Sequence, residues 1–228
     1  MSEFFSFYST QDRIRINQAN LRIYYANILY TNYDYESLKQ QIDDNGYDVV
    51  VLVEFSDQHD EALKEFFQER FPYVNRNSWS TKLAGDIVFS KYPITNLLEK
   101  YPQEPGRRKY SYFSIDNWNN NPYYFYVVHT SAPVSTYNFQ MRNQQLKKLS
   151  NEFLIQSQDR AEDAPVVMLG DFNLSPRSPS YAIFEQELQG KVENIFRQER
   201  PIFTRSLRDQ KIFNVHIDHV FVSPSINV

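Results

Sequence analysis

Short apolar runs with a two-residue period alternate along this chain with stretches whose apolar positions recur at helical spacing. LRIYYAN (21–27) has strand character. Asp34 is an N-cap signal for a helix carrying Leu38 and Ile42, and Gly46 closes it. DVVVLVE (48–54) is a continuous β-branched run, the pattern of a strand covered on both faces. A second helix using Leu63, Phe66 and Phe67 follows. Strand-like runs near 85–90, 93–98, 110–115 and 123–129 come in quick succession, which predicts antiparallel pairing, with DNWNNNP (116–122) as a long hairpin turn. Thr136 is the expected cap of a longer helix with Phe139, Leu146, Leu149 and Phe153 on one face. PVVMLGD (165–171) reads as another buried strand, SYAIFEQEL (180–188) as a helix and HIDHVFVSP (216–224) as a late strand. Strands and helices in this order predict an α/β sandwich rather than a regular βαβ array.

Composition narrows the chemistry. With 228 residues, 41% of them hydrophobic, the chain is expected to form a single domain over residues 1–228 and is short for two. Only 5 Gly means that the turns must lean on Asn, Asp and Pro. The absence of Cys excludes disulfides, thiolate sites and Cys nucleophiles, so any metal must be held by oxygen or imidazole. That favours Mg²⁺, Mn²⁺ or Ca²⁺ over structural zinc. A net charge of −4 argues against a protein that coats long nucleic acid, although Arg107, Arg108 and Lys109 could form a local patch or a solvated face. The aromatic residues Trp79, Trp118, Tyr123 and Tyr124 read as packing, with contact to a base or a lipid as the alternative. MSEFFSFYSTQDR carries Glu3 where a signal peptide would be positive, and no run approaches a membrane span, so the chain as given reads as soluble. No protein partner can be read from it.

Five polar residues sit at or inside apolar runs, where packing alone would not choose them. Asn27 ends YYAN, Glu54 ends VVVLVE, His129 ends YFYVVH, Asp171 follows VVMLG and Asp218 opens IDHVFV. Each has a plainer reading taken singly: a turn starter for Asn27, an exposed strand end for Glu54, a satisfied core imidazole for His129, a strand-end cap for Asp218. Four of the five close a strand at its C-terminal end, the edge where ligands bind α/β sheets. GDFNLSP (170–176) is more specific. Gly170 permits a sharp turn after a buried strand, so that Asp171 and Asn173 can point the same way. A carboxylate beside an amide donor suits a nucleophilic water and a phosphate oxygen.

GDFN, the upstream VLVE and VVHTSAP, and the downstream IDHVFVSP together resemble the endonuclease/exonuclease/phosphatase superfamily, in that family's order and across roughly residues 20 to 224. GDIVFSKYPI (85–94) is similar to the family's strand pair, and RNQQLKKL (142–149) to its helix between the His and GDFN. ANIL (26–29) and SPRSP (175–179) resemble bacterial members that often carry membrane helices upstream, which would leave this chain cytoplasmic or membrane-associated through segments outside it. The resemblance implies a four-layer α/β/β/α sandwich of two mixed, largely antiparallel sheets. It also implies a divalent-metal-dependent phosphoesterase using Mg²⁺ or Mn²⁺ on a nucleic acid, a nucleotide or a lipid headgroup. Glu54 would be the principal metal ligand with Asn27 beside it. Asp171 would orient or deprotonate water, Asn173 would bind the scissile phosphate and His129 would stabilise phosphoryl charge. Asp218 would orient a catalytic His on a further Ser-Asp-His strand. Only nine residues follow His219, and none is His or Asp. Three expectations follow: a chain ending before that strand, a domain that binds phosphate ligands or a partner without turnover, or replacement by His129 or His219. His219 is expected on the opposite strand face from Asp218.

Overall fold

The computed structural model describes residues 15–16, 19–77, 85–98, 110–116, 122–195, 205–206 and 214–227, with the backbone alone for 15–16, 19–20, 205–206 and 214–215. Strands β1 (Arg15–Ile16) and β2 (Ala19–Asn20) form a small antiparallel pair. A first sheet contains β3 (Ile23–Asn27), β4 (Val49–Phe55), β5 (Tyr73–Asn77) and β6 (Gly85–Ser90), in the order β3-β4-β6-β5. The second contains β7 (Ile94–Asn96), β8 (Tyr110–Ile115), β9 (Tyr123–His129), β10 (Val166–Asp171) and β11 (Glu193–Asn194). A second antiparallel pair, β12 (Arg205–Ser206) with β13 (Asn214–Val215), precedes the second sheet's last strand, β14 (Asp218–Val222). The order is β11-β14-β10-β9-β8-β7. Helices α1 (Tyr35–Asp43), α2 (Asp57–Arg70), α3 (Thr136–Ser157) and α4 (Pro179–Glu187) complete the described elements. The result is an α/β fold of two mixed sheets and four helices.

Three apolar clusters explain the layering. Val49, Val51, Val53 and Val88 of the first sheet meet Phe113, Phe125, Val127, Val167 and Leu169 of the second. Alternate residues of the same strands, Val50, Leu52, Ile87 and Phe89, pack on Leu38 and Ile42 of α1 and on Leu63, Phe66 and Phe67 of α2. On the far side Tyr112, Tyr126, Met168 and Phe221 pack on Leu146, Leu149 and Phe153 of α3 and on Phe184 of α4. Both faces of β4 are therefore covered, which is why that run shows no polar alternation.

Local signals place most elements. Asp34 caps α1 by accepting from Ser37 N at 3.1 Å, and Gly46 follows the helix at φ +60°. Several expectations need correction. The cap of α3 is Ser135, whose hydroxyl accepts from Asn138 N at 3.1 Å; Thr136 is the first helical residue. Phe139 is 45% exposed and not on the buried face. The first turn of α3 runs past the core, and its buried positions begin at Arg142, whose guanidinium lies 4.7 Å over the Phe139 ring. β6 does not pair with β7. It lies between β4 and β5, while β7 edges the other sheet. A run buried on both faces specifies no partner, so closeness in sequence misleads there. Polar YVNRN, the edge strand β5, carried no strand signal. β8 and β9 do pair antiparallel, with Ile115 opposite Tyr123, and the hairpin residues 117–121 between them lie outside the described residues. Tyr123 is buried between the sheets and Tyr124 lies near Tyr112, so both pack. Trp79, Trp118 and Arg107–Lys109 lie outside the described residues. Among the described residues no helix is long and apolar enough to cross a membrane.

Candidate active site

Strand directions gather the five polar residues at one edge of the sandwich. β3 and β4 run parallel in the first sheet, and β9 and β10 run parallel in the second with His129 opposite Asp171. β14 runs antiparallel to β10, so its first residue, Asp218, also lies opposite Asp171. The C-terminal ends of four strands and the start of a fifth therefore meet.

Asn27 joins the two sheets. Its Nδ2 donates to Glu54 Oε1 at 3.1 Å and to Asp171 Oδ2 at 3.2 Å, while its Oδ1 accepts from Leu29 N. Glu54 Oε2 accepts from Tyr30 N at 3.3 Å, and His129 Nε2 lies 3.9 Å from Glu54 Oε1. Glu54 sits at a register shift between Val53 and Phe55 and has φ +63°. A side chain in that left-handed region costs about 1–2 kcal/mol, and bulges of this kind re-aim side chains at sites. The bulge turns Glu54 toward Asn27.

The GDFN turn is held from three sides. Gly170 has φ +144°, and a Cβ there would lie 1.9 Å from the Val128 carbonyl oxygen. The close approach of β9 and β10 thus admits only glycine. Asp171 Oδ1 accepts from Asn173 N at 2.8 Å, an Asx-type closure that suits Asn173 at φ +48°. Asn173 Nδ2 donates to Thr130 O at 2.9 Å, and Arg142 Nη1 donates to Asn173 O at 2.8 Å. Thr130 N bonds Asp171 O, and Thr130 Oγ1 bonds Phe172 O. Burial holds the Arg142 guanidinium below its ordinary pKa.

Asp218 is engaged by a residue that the sequence did not single out. Tyr25 Oη donates to Asp218 Oδ1 at 2.5 Å. Burial raises the Tyr25 phenol well above its ordinary pKa, with the charges of Asp218, Asp171 and Glu54 adding to it, so it remains a donor. Tyr25 precedes Asn27 by two residues, and strand alternation alone would have put both on the site face. Arg142 and Thr130 were also missed as supports, although RNQQLKKL and VVHTSAP contain them.

His219 faces the other way, as alternation requires. It is 1% exposed among Phe172, Tyr181 and Phe221, and its Nε2 donates to Leu174 O at 2.6 Å. Burial pushes its pKa down to about 3 and also lowers those of His216 and His59. The unfolded chain takes up these protons near pH 6.5 while the folded chain does not. Stability is therefore fully present above that pH and falls as the pH drops toward 3, by about 1.4 kcal/mol per unit for His219 alone. Urea midpoints measured from pH 7.5 to 4.5 should decline, and His219→Gln, weaker at neutral pH, should show a flatter decline. Equal slopes would contradict a buried neutral imidazole.

The donor set suits a hard cation. Two carboxylates, those of Glu54 and Asp171, converge on the Asn27 amide. Among the described residues no three His, Asp or Glu side chains stand at ligand spacing. Mg²⁺ needs no such cage, because it is bound through one or two carboxylates and keeps several waters.

The chain belongs to the endonuclease/exonuclease/phosphatase family, a family of phosphate-ester hydrolases, whose model matches residues 20–228. Among solved structures it is similar to a 3′ phosphatase, NExo, from Neisseria bound to a product DNA hairpin (18% identity, 90% of this chain and 87% of that one, TM-score 0.69). It is also similar to TDP2 of D. rerio complexed with a single-strand DNA product (17%, 89% and 83%, 0.64). Beta toxin from Staphylococcus aureus with bound magnesium ions is similar as well (16%, 91% and 85%, 0.63). At these identities the likeness is one of fold. Comparison with curated protein sequences finds no match.

Proposed function

We propose that this chain is a divalent-metal-dependent phosphodiesterase. The observation that carries the reading is the Asn27 amide bonded at once to Glu54 and Asp171, with His129 3.9 Å from Glu54. Glu54 would hold Mg²⁺ or Mn²⁺ through its carboxylate and Asn27 through its Oδ1, the atom that accepts from Leu29 N, with Asp171 adjacent. When bound, the cation supplies Lewis acidity and a template for in-line displacement. Asp171 takes the proton of the attacking water; its donors, Asn173 N and Asn27 Nδ2, aim it. Asn173 has one amide N–H on Thr130 O and presents the second to a phosphoryl oxygen. His129 donates to the oxygens on which charge builds. Asp218, opposite Asp171 on the neighbouring strand, is held by Tyr25.

Exposed Tyr30 and Tyr33 follow Asn27, and exposed Val134 and Tyr137 follow His129, so the organic part of a substrate meets apolar side chains beside the phosphate. Nucleic acid, nucleotide and lipid headgroup all offer such a part. The relatives bound to DNA products favour testing nucleic acid first.

The test is hydrolysis of bis(p-nitrophenyl) phosphate with Mg²⁺ or Mn²⁺, expected to vanish in EDTA and return when metal is restored. Turnover indifferent to EDTA would overturn the metal dependence. A second reading is a phosphate-binding module without turnover, in which Tyr25 and Asp218 only brace the edge of the sheet. Metal binding by calorimetry without hydrolysis of any diester would select it.

A further inference from the structure

His59 is a buried imidazole that takes no part in the chemistry above, yet it joins the two segments carrying the candidate metal ligands. It lies in α2, three residues beyond the cap Ser56, and Ser56 follows Glu54 by two. His59 Nδ1 accepts from Ser56 N at 3.1 Å and lies 2.6 Å from Ser56 Oγ. His59 Nε2 lies 2.8 Å from Asn32 O. A carbonyl only accepts and a backbone N–H only donates, so these partners fix the neutral tautomer with its proton on Nε2. Burial, which lowers its pKa, favours that same neutral form.

Asn32 belongs to the segment between β3 and α1 that begins directly after Asn27. In that segment Asn32 N bonds Leu29 O at 2.8 Å, Leu29 N bonds Asn27 Oδ1, and Tyr30 N donates to Glu54 Oε2. Tyr33 and Tyr35, from the same stretch, lie against the His59 ring with centroids 6.5 and 5.7 Å away, and Phe55 lies at 5.6 Å. One ring thus clamps the exit of Glu54's bulge through Nδ1 and the loop after Asn27 through Nε2. Glutamine or glutamate at this third helical position would cap α2 equally well, but neither would place a rigid donor on Asn32 O.

We propose that His59, as its Nε2–H tautomer, is a positioning residue that holds the loop after Asn27 on the candidate metal centre, keeping the Tyr30 N–H on Glu54 and thereby setting metal affinity. The part concerning metal rests on the phosphodiesterase reading; the part concerning the loop does not.

Two variants separate this role from ordinary capping. His59→Gln keeps a side-chain acceptor for Ser56 N and replaces the rigid ring donor to Asn32 O with a flexible amide, which loosens the tie. Ser56→Ala removes the cap hydroxyl and keeps that tie. Both should lower Tm, Ser56→Ala by about 2–4 °C. Only His59→Gln should speed hydrogen exchange at the Tyr30 amide and weaken Mn²⁺ binding, measured by calorimetry, by about tenfold, the lower end for residues that orient metal ligands. Unchanged Tyr30 exchange in His59→Gln, or equal changes in exchange and affinity in both variants, would overturn the proposal. Wild-type protein that binds no Mn²⁺ would sink the metal-centre reading, and the exchange data would still decide whether His59 holds the loop.

Discussion

Gly170→Ala is expected to leave little folded protein, with a loss of more than about 4 kcal/mol, well beyond the usual range for one methyl group. The added Cβ would lie 1.9 Å from Val128 O and 2.7 Å from Val128 N, both backbone atoms of the neighbouring strand β9. Neither can move without breaking the β9–β10 ladder, which runs in register from Tyr124 opposite Val166 to His129 opposite Asp171. Gly46→Ala provides the contrast. Its φ of +60° also favours glycine, but the nearest atom to the new Cβ is Arg22 Nη1, 3.6 Å away at the end of a flexible side chain. The cost there should be about 1 kcal/mol. Thermal unfolding of both variants checks this, and a Gly170→Ala protein melting near the wild type would refute the close strand approach.

Replacing Glu54 should remove metal-dependent turnover, by about a thousandfold or more, with the chain still folded. Asp171→Asn should cost a comparable factor, within the 10²–10⁴ range of a positioned general base. Glu54 carries a second signature. Its left-handed φ is tolerated for the direction it gives the carboxylate, so Glu54→Gly should be more stable than Glu54→Ala by about 1 kcal/mol while both are equally inactive. Diester hydrolysis and urea titration on the two variants together decide the point. Activity retained in either variant would remove Glu54 from the centre, and equal stabilities would mean that the backbone strain is absent.

Much of this architecture was legible in the residue pattern. VVVLV, PVVML and YFYVV are apolar on both faces because sheet or helix covers each face, and that information is local. Asp34 and Gly46 mark the ends of α1 through their own side-chain and backbone chemistry. Asn27, His129 and Asp171 stood out because an uncovered polar group at the end of a buried run needs a reason, and strand polarity then brings such ends to one edge.

Other features depended on which strand lies beside which. Nothing in GDIVFS chooses β4 and β5 as partners over β7, since a run buried on both faces fits any neighbour, and only the assembled sheets decide. Phe139 has the right spacing for a buried helix face, but α3 overhangs the core at that turn. Tyr25 lies 193 residues from the Asp218 that it contacts, and His59 lies 27 from the Asn32 carbonyl that it holds. The sequence by itself determined the long buried strands, most helix boundaries and the polar groups at the strand ends, because periodicity, capping and glycine geometry act over a few neighbouring residues. Sheet membership, the bulge at Glu54 and the contacts of Tyr25, Arg142 and His59 were decided by the tertiary structure alone, because they join segments that no local rule relates.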